Sequence, residues 1–338
     1  MSLLVEQAGL LTTIQDRGRI GFQQFGVPQS GAVDQWALST ANLLVDNDPG
    51  EGALEMTIIG PRLVFEAGAC IALTGADLSP TLNGVPAPMN RALPVEPGSV
   101  LAFGRCRAGC RAYLAVGGGL DIPAAMGSSS TYLKASLGGL EGRALRTGDR
   151  IPFRAPRPVL PAMELRTAPA VEYPREVVLR AVPGPHGDYF TRQGLDTFWN
   201  TAFTLGKQFD RMGCRLEGGR IELRRDGNIL SDGVVFGTVQ VPEGGQPIVM
   251  LADRQTTGGY PQIATVITAD LPLIAQCKSG SRVRFRPVTV QEGQQAYRRQ
   301  QEALRDLPDR WRRPAPAGKS YQVLLNGRPY TVTVTPLA

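Results

Sequence analysis

The feature that most restricts the fold of this chain is a repeat within it. Asp16-Arg-Gly-Arg-Ile-Gly21 is echoed by Asp210-Arg-Met-Gly-Cys-Arg215. The apolar run ending in Ala76-Asp77 is echoed by the run ending in Ala252-Asp253, and Gly98-Ser-Val-Leu-Ala-Phe103 by Gly280-Ser-Arg-Val-Arg-Phe285. The three pairs occur in the same order at similar separation, which is the mark of a duplicated structural unit. Apolar stretches are short and alternating, at residues 69–73, 100–103, 111–116, 177–182, 220–223, 248–251 and 282–285, and read as strands. With 40 glycines and 27 prolines among 338 residues, the chain turns often between short elements. A mainly β protein of two related units with a few accessory helices is predicted.

Helical periodicity is confined to residues 34–44, where Asp34 can cap, to 270–276 with Pro272 in the first turn, and to 289–307, opened by the capping box Thr289-x-x-Glu292. Asn326-Gly327 between two alternating runs predicts a terminal β-hairpin. The expected organisation is a first β-unit with a connecting segment over 1–160, a second over 161–290, and a basic helix with the hairpin over 291–338.

Several function classes are disfavoured. The first 20 residues carry acids and polar groups where a secretory signal needs a basic head and an apolar core, so a cytoplasmic protein is expected. No apolar run approaches the roughly 20 residues that span a bilayer, so no membrane partner is expected. Five cysteines in such a chain read as reduced thiols. Cys106 and Cys110 lack two further ligands and the chain has a single histidine, so no metal is expected. Of the net charge of +6, half sits in residues 298–313, with six arginines against Glu302, Asp306 and Asp309. A solvated helix face accounts for that stretch, and nucleic acid is not expected as a partner.

The densest polar cluster is Asp253-Arg-Gln-Thr-Thr-Gly-Gly-Tyr-Pro261, directly after an apolar strand. Gly258 and Gly259 free backbone N–H groups to face an anion, Thr256 and Thr257 add hydroxyls, Gln255 and Tyr260 add side-chain donors, and Asp253 is an acceptor or general base. A tight turn that satisfies its own backbone is the competing reading. Arg17 and Arg19 could clamp an anionic group with their forked donors, or Asp16 and Arg17 could pair to fix a loop. Asp210 and Arg211, followed by Ser231-Asp232-Gly233, present the same choice. His186, in a Gly/Pro-rich loop, is better suited to a hydrogen-bond role than to proton transfer. No Ser/His/Asp or Cys/His arrangement can be composed.

Taken together, Gln15-Asp-Arg-Gly-Arg19, Gly26-Val-Pro-x-Ser-Gly-Ala-x-Asp34, Leu73-Thr-Gly-Ala-Asp77, Gly127-Ser-x-Ser-Thr-Tyr-Leu133, Asp210-Arg-Met-Gly213, Ser231-Asp-Gly233 and Asp253-x-Gln-Thr-Thr-Gly-Gly-Tyr-Pro261 resemble the biotin-dependent carboxyltransferase-like family. That family includes the second half of the urea carboxylase carboxyltransferase domain, the sporulation-kinase antagonist KipA and the C component of ATP-dependent 5-oxoprolinase. The resemblance implies two cyclophilin-like β-barrel units. It also implies a partner, a KipI-like B component that closes a shared site, and an A component, with ATP used by the assembled complex to open 5-oxoproline to glutamate. In that reading Asp253, Asp210 and Asp16 are the catalytic candidates. Arg17, Arg19, Arg211, Gln255, Thr256, Thr257, Gly258, Gly259, Tyr260, Ser231 and Asp232 would then bind the carboxylate or amide substrate. A carboxyltransferase component of a biotin-dependent urea or amide carboxylase, and a KipA-type regulator, are the alternatives. Two departures stand out. Ser129 replaces the Arg common in the Gly-Ser-Arg-Ser-Thr-Tyr motif, and the chain shows no Met-Lys biotin-acceptor pattern, so no covalently attached biotin is expected on it.

Overall fold

The computed structural model describes residues 1–312, 319–326 and 328–334. In the first unit, two antiparallel sheets face each other. One runs in the order Arg150–Pro152, Ser2–Gln7, Arg62–Phe65, Val100–Ala102, Thr81–Leu82 and Val85–Pro86; the other runs Leu11–Gln15, Ala53–Thr57, Ala108–Val116, Ala69–Asp77 and Ala92–Val95. Alternate residues Leu3, Val5, Leu63 and Phe65 of the first meet Ile14, Leu54, Met56, Ile71, Leu73 and Leu114 of the second in one core. Helix α1, Gln35–Leu44, lies on the opposite face of the second sheet. Its Ala37, Leu38, Ala41 and Leu44 pack with Ala72, Tyr113 and Ala115.

The second unit is a closed seven-stranded barrel. Its order is Glu176–Pro183, Gln262–Val266, Thr238–Gln240, Ile248–Met250, Gly213–Glu217, Phe203–Phe209 and Arg282–Pro287, and the parallel pair Glu176–Pro183 with Arg282–Pro287 shuts it. Val177, Leu179 and Ala181 point inward at every second position, as a half-buried strand requires. Helix α2, Arg192–Asn200, is capped by Thr191 and plugs one end with Phe198, stacked on Phe285 at 4.5 Å. The sequence reading places no helix there, since two turns with only Leu195, Phe198 and Trp199 on the apolar face, and Gly194 within them, make a short signal. A Cβ at Gly194 would lie 2.2 Å from the Glu222 carbonyl, so close packing demands the glycine.

The duplication is visible in the hydrogen bonding. Gly98 and Gly280 both take φ of +86°, and each is followed by a serine that closes the same turn. The Ser99 hydroxyl accepts from Glu96 N and the Ser281 hydroxyl from Lys278 N, at 3.0 and 3.1 Å. The flanking strand partners correspond as well, since Phe65 N donates to Ser99 O at 2.9 Å and Leu205 N to Ser281 O at 2.8 Å. Asp16 and Asp210 likewise each accept from the backbone N–H two residues on, at 2.7 Å.

Helix α3, Leu271–Ala275, sits over the barrel, and helix α4, Val290–Arg312, returns to the first unit. Its exposed face is basic, as expected, but it is not detached: Leu304, Leu307 and Trp311 are buried, and the Trp311 indole donates to Thr167 O at 2.9 Å beneath the Arg166 guanidinium. The helix runs through Pro308 beyond its expected end at Leu307 because Trp311 anchors the last turn. The hairpin forms from Lys319–Leu325 and Arg328–Val334; Gly327 itself lies outside the described residues. Trp311→Ala is expected to destabilise the chain by about 3–5 kcal/mol, the usual cost of deleting a buried indole. Urea unfolding checks this, and a loss below about 1 kcal/mol would show α4 to be an appendage.

Candidate functional site

The two units meet across a buried knot centred on Arg211. Its Nε donates to Asp253 Oδ2 at 2.9 Å and its Nη2 to Asp253 Oδ1 at 3.0 Å and to the Gly31 carbonyl at 2.6 Å; Nη1 donates to Glu55 Oε1. Glu55, from the first unit, also accepts from Val33 N at 2.9 Å and from the Tyr113 hydroxyl at 2.7 Å. The Tyr113 oxygen accepts from Asp34 N, and the Asp34 carboxylate accepts from Ala37 N, capping α1, and from Gln276 Nε2 of the second unit. Burial opposes charge on Glu55, yet Arg211 and Arg111 hold its carboxyl below the ordinary range. Asp34 has weaker compensation, and burial pushes its carboxyl up to about 6.

Beside the knot, loops 26–34 and 127–133 are stitched together. Ser30 Oγ donates to Asp253 Oδ1 at 2.6 Å, with the Thr131 carbonyl 3.1 Å away. Asp16 accepts from Ser128 Oγ at 2.6 Å, from Ser129 N at 2.6 Å and from Ser130 Oγ. Ser129 thus helps tie this loop to Asp16, through its backbone N–H and, at 3.2 Å, its hydroxyl. Arg19 is fully buried, donating to the carbonyls of Ala125 and Ser130, and burial pulls its pKa down.

Residues 253, 254 and 255 point three ways. Asp253 turns into the knot. Gln255 lines a cleft of about 450 Å³ with Tyr260, Asp210, Gln240 and the cations Lys207 and Arg215. Arg254 lines a cavity of about 880 Å³ shared with Arg17, Ser30, Trp36 of α1, Phe236 and Tyr297 of α4. The residues that the sequence groups together are thus distributed by the fold. Gln255, Tyr260 and Asp210 gather at the smaller cleft, and Arg17 at the larger cavity. Asp16 and Arg19 hold a loop, while Asp253 and Arg211 are committed to each other.

Thr257 and Gly258 pair with Asp232 and Gly233 in a two-stranded ribbon; Thr256 O accepts from Val234 N and Gly259 O from Ile229 N, while Ser231 lies alongside Gly259. These positions carry the turn character read from the sequence. His186 Nδ1 accepts from Gln262 N at 3.3 Å, a structural bond. Sequence reasoning misses Glu55 and Arg254. A lone acid inside the apolar strand Ala53–Thr57 is the available signal for the first; the sequence carries none for the second. Among the described residues no group of three or more His, Cys, Asp or Glu could hold a metal, and no helix is long and apolar enough to cross a membrane.

Comparison with known proteins places this geometry. The family description "Carboxyltransferase domain, subdomain A and B" matches residues 25–287. The chain is 41% identical to the C subunit of 5-oxoprolinase from Escherichia coli over 310 residues, covering 92% of this chain and 98% of that one. It is 38% identical to the corresponding 5-oxoprolinase C subunit of Haemophilus influenzae over 85% of this chain and 91% of that one. The crystal structure of the Kluyveromyces lactis urea carboxylase superposes with a TM-score of 0.84 at 29% identity, covering 90% of this chain but only 29% of that much longer one.

Two measurements probe the knot. Arg211→Ala leaves Glu55 and Asp253 buried without their cation and is expected to cost about 3–5 kcal/mol. Breaking the exposed pair Arg62–Glu6 is expected to cost under about 1 kcal/mol. Equal small losses in denaturant titrations would refute the central role of Arg211. Because the folded pKa of Asp34 is raised above the ordinary 3.8, the native state favours its protonated form. Stability contributed by this group is complete below about pH 4 and falls as the pH rises through about 6. The difference in stability between pH 4 and 7 is therefore expected to shrink in Asp34→Asn, and an unchanged difference would contradict the assignment.

Proposed function

The chain belongs to the carboxyltransferase domain family, subdomains A and B, and from that premise we propose that it is the C component of an ATP-dependent 5-oxoprolinase. The observation that carries this reading is the similarity to the E. coli protein, which extends over nearly the whole of both chains. Urea amidolyases are matched over only a fraction of their length. The complex works in the cytoplasm with a KipI-like B component and an A component, hydrolysing 5-oxoproline to glutamate at the expense of ATP. This chain is inactive alone.

The physical reading agrees with a shared site. Ring opening of 5-oxoproline needs a group to hold its carboxylate, donors to meet charge developing on the lactam oxygen, and a closed site that excludes bulk solvent while admitting the water that the hydrolysis consumes. Lys207 and Arg215 at the smaller cleft supply cations, Gln255 an amide and Asp210 an exposed carboxylate with an uncommitted oxygen, but the cleft is open to solvent. We assign Asp210 and Gln255 to the substrate, and give Asp253 and Arg211 the task of positioning the loop that carries Gln255. Phe25, 71% exposed, and Leu230, 96% exposed, stand on surface loops, and Ile20 and Val235, also in solvent, line the larger cavity. Large apolar side chains on polar loops suit a protein partner.

Co-expression with candidate A and B components tests the reading. ATP-dependent release of glutamate from 5-oxoproline is expected only with all three. Gln255→Ala should leave the complex intact and lower turnover about 100-fold, the scale of losing one donor to a developing oxyanion. The double variant Phe25→Asp, Leu230→Asp should remain folded and fail to co-elute with the B component. A fully assembled complex that releases no glutamate, or one whose carboxylating activity depends on a biotinylated protein, would overturn the proposal.

A further inference from the structure

The larger cavity, between α1, α4 and the rim of the second unit's barrel, holds a cation with no ion pair among the described residues. Arg254 is 3% exposed. Its Nε donates to the Val234 carbonyl at 3.1 Å and its Nη1 to the Leu251 carbonyl at 3.3 Å, while no acceptor among the described residues meets its other terminal nitrogen. Neither carbonyl carries a formal charge. Asp253, the neighbouring carboxylate, is occupied by both nitrogens of the Arg211 fork and by Ser30, so it does not form an ion pair with Arg254. The Phe236 ring lies 5.7 Å from the guanidinium carbon and offers a face to the cation, which does not replace an anion. Burial pulls the Arg254 pKa down to about 10 against the opposing pull of Asp253, so a charge without an ion pair is costly to keep here.

The remaining wall is amphipathic. Arg17, Gln29 and Ser30 flank one side, and Trp36 of α1 with Tyr297 of α4 offers aromatic surface. A volume of about 880 Å³ lies in the range of small-molecule sites, which are mostly apolar with a few convergent polar groups. A forked guanidinium recognises carboxylate or phosphate oxygens through paired N–H donors. We propose that this cavity is a binding site, separate from the Gln255 cleft, for a small molecule with an oxyanion group, held by Arg254 and Arg17 and with its ring against Trp36 and Tyr297. α4 supplies one wall, so the site includes residues beyond the 25–287 span that matches the family. The proposal goes beyond the 5-oxoprolinase reading and does not depend on it.

Calorimetric titration of the full chain with 5-oxoproline, as the carboxylate probe, and with AMP, as the phosphate probe, tests the site and tells the two chemistries apart. Saturable binding of one probe is expected, with Kd raised at least about tenfold in Arg254→Gln and less in Arg254→Lys, which keeps the charge but loses the fork. Gln294→Trp, an exposed position of α4 at the cavity wall, should abolish binding by filling the space while the circular dichroism and Tm stay at the parent values. Absence of saturable binding of both probes to the parent protein would overturn the proposal. So would binding indifferent to Gln294→Trp, or to Arg254→Gln where that variant remains folded. Probe binding that responds to these variants in a chain whose complex makes no glutamate would leave the site standing and the 5-oxoprolinase reading refuted; the converse result would do the reverse.

Discussion

Everything near the junction depends on one guanidinium placed between two carboxylates. Taking Arg211 out of water is expensive, and only the combination of Asp253, Glu55 and the Gly31 carbonyl, all in hydrogen-bond contact, offsets that cost. Because Glu55 belongs to the first unit and Asp253 to the second, the charge can be satisfied only when the units are correctly docked. Apolar burial alone tolerates sliding; a buried ion pair with defined donors does not. The Asp34, Tyr113 and Gln276 chain extends the same logic, since the Gln276 amide oxygen also accepts from Cys110 N and Arg111 N at 2.9 Å. Val33 completes the connection by entering the hydrophobic core of the second unit from the loop that precedes α1.

The two copies of the repeat show how similar local chemistry serves different ends. Each aspartate closes a turn on its own backbone, so the arginine that follows leaves the strand end in a fixed direction. In the first copy Arg17 is exposed and lines the larger cavity; in the second Arg211 is swallowed by the junction. The difference lies in what faces each turn. Gly31 and Ser30 come close to Arg211, and Glu55 stands across from it, whereas a glycine, Gly50, leaves room for the Arg17 stem.

Those contacts separate what is legible in the sequence from what is not. Strand alternation, the capping residues Asp34 and Thr289 and the repeated Gly-Ser turn are local, and they survive in the fold. The mainly β character follows from them. Side-chain direction at a strand end is not local. Asp253, Arg254 and Gln255 are adjacent in sequence, yet a buried arginine from another loop, a cavity and an open cleft each claim one of them. The polar cluster marks a place of interest, but which member faces a ligand depends on Arg211, some 40 residues away, and on Glu55 in the other unit. Helix α4 is the same case in apolar form: its basic stripe is plain in the sequence, while the docking of Trp311 against Thr167 depends on a surface that only the folded first unit presents.

The buried charges around the junction are unevenly paired. Arg19, Arg111, Arg211 and Arg254 are all almost wholly buried there, against Glu55, Asp253 and Asp34, the last of which burial pushes toward its neutral form. Half-buried Asp16 lies beside Arg19 and contributes to that side. Counting Asp16, four cations face four carboxylates; what is uneven is the pairing, since Arg211 is matched in the knot while Arg19, Arg111 and Arg254 rest on backbone carbonyls. A protein that only needed to hold two units together would gain by replacing Arg254 with an apolar residue of similar volume. Retaining Arg254 at a cavity wall, against that cost, is what a site for an anion requires.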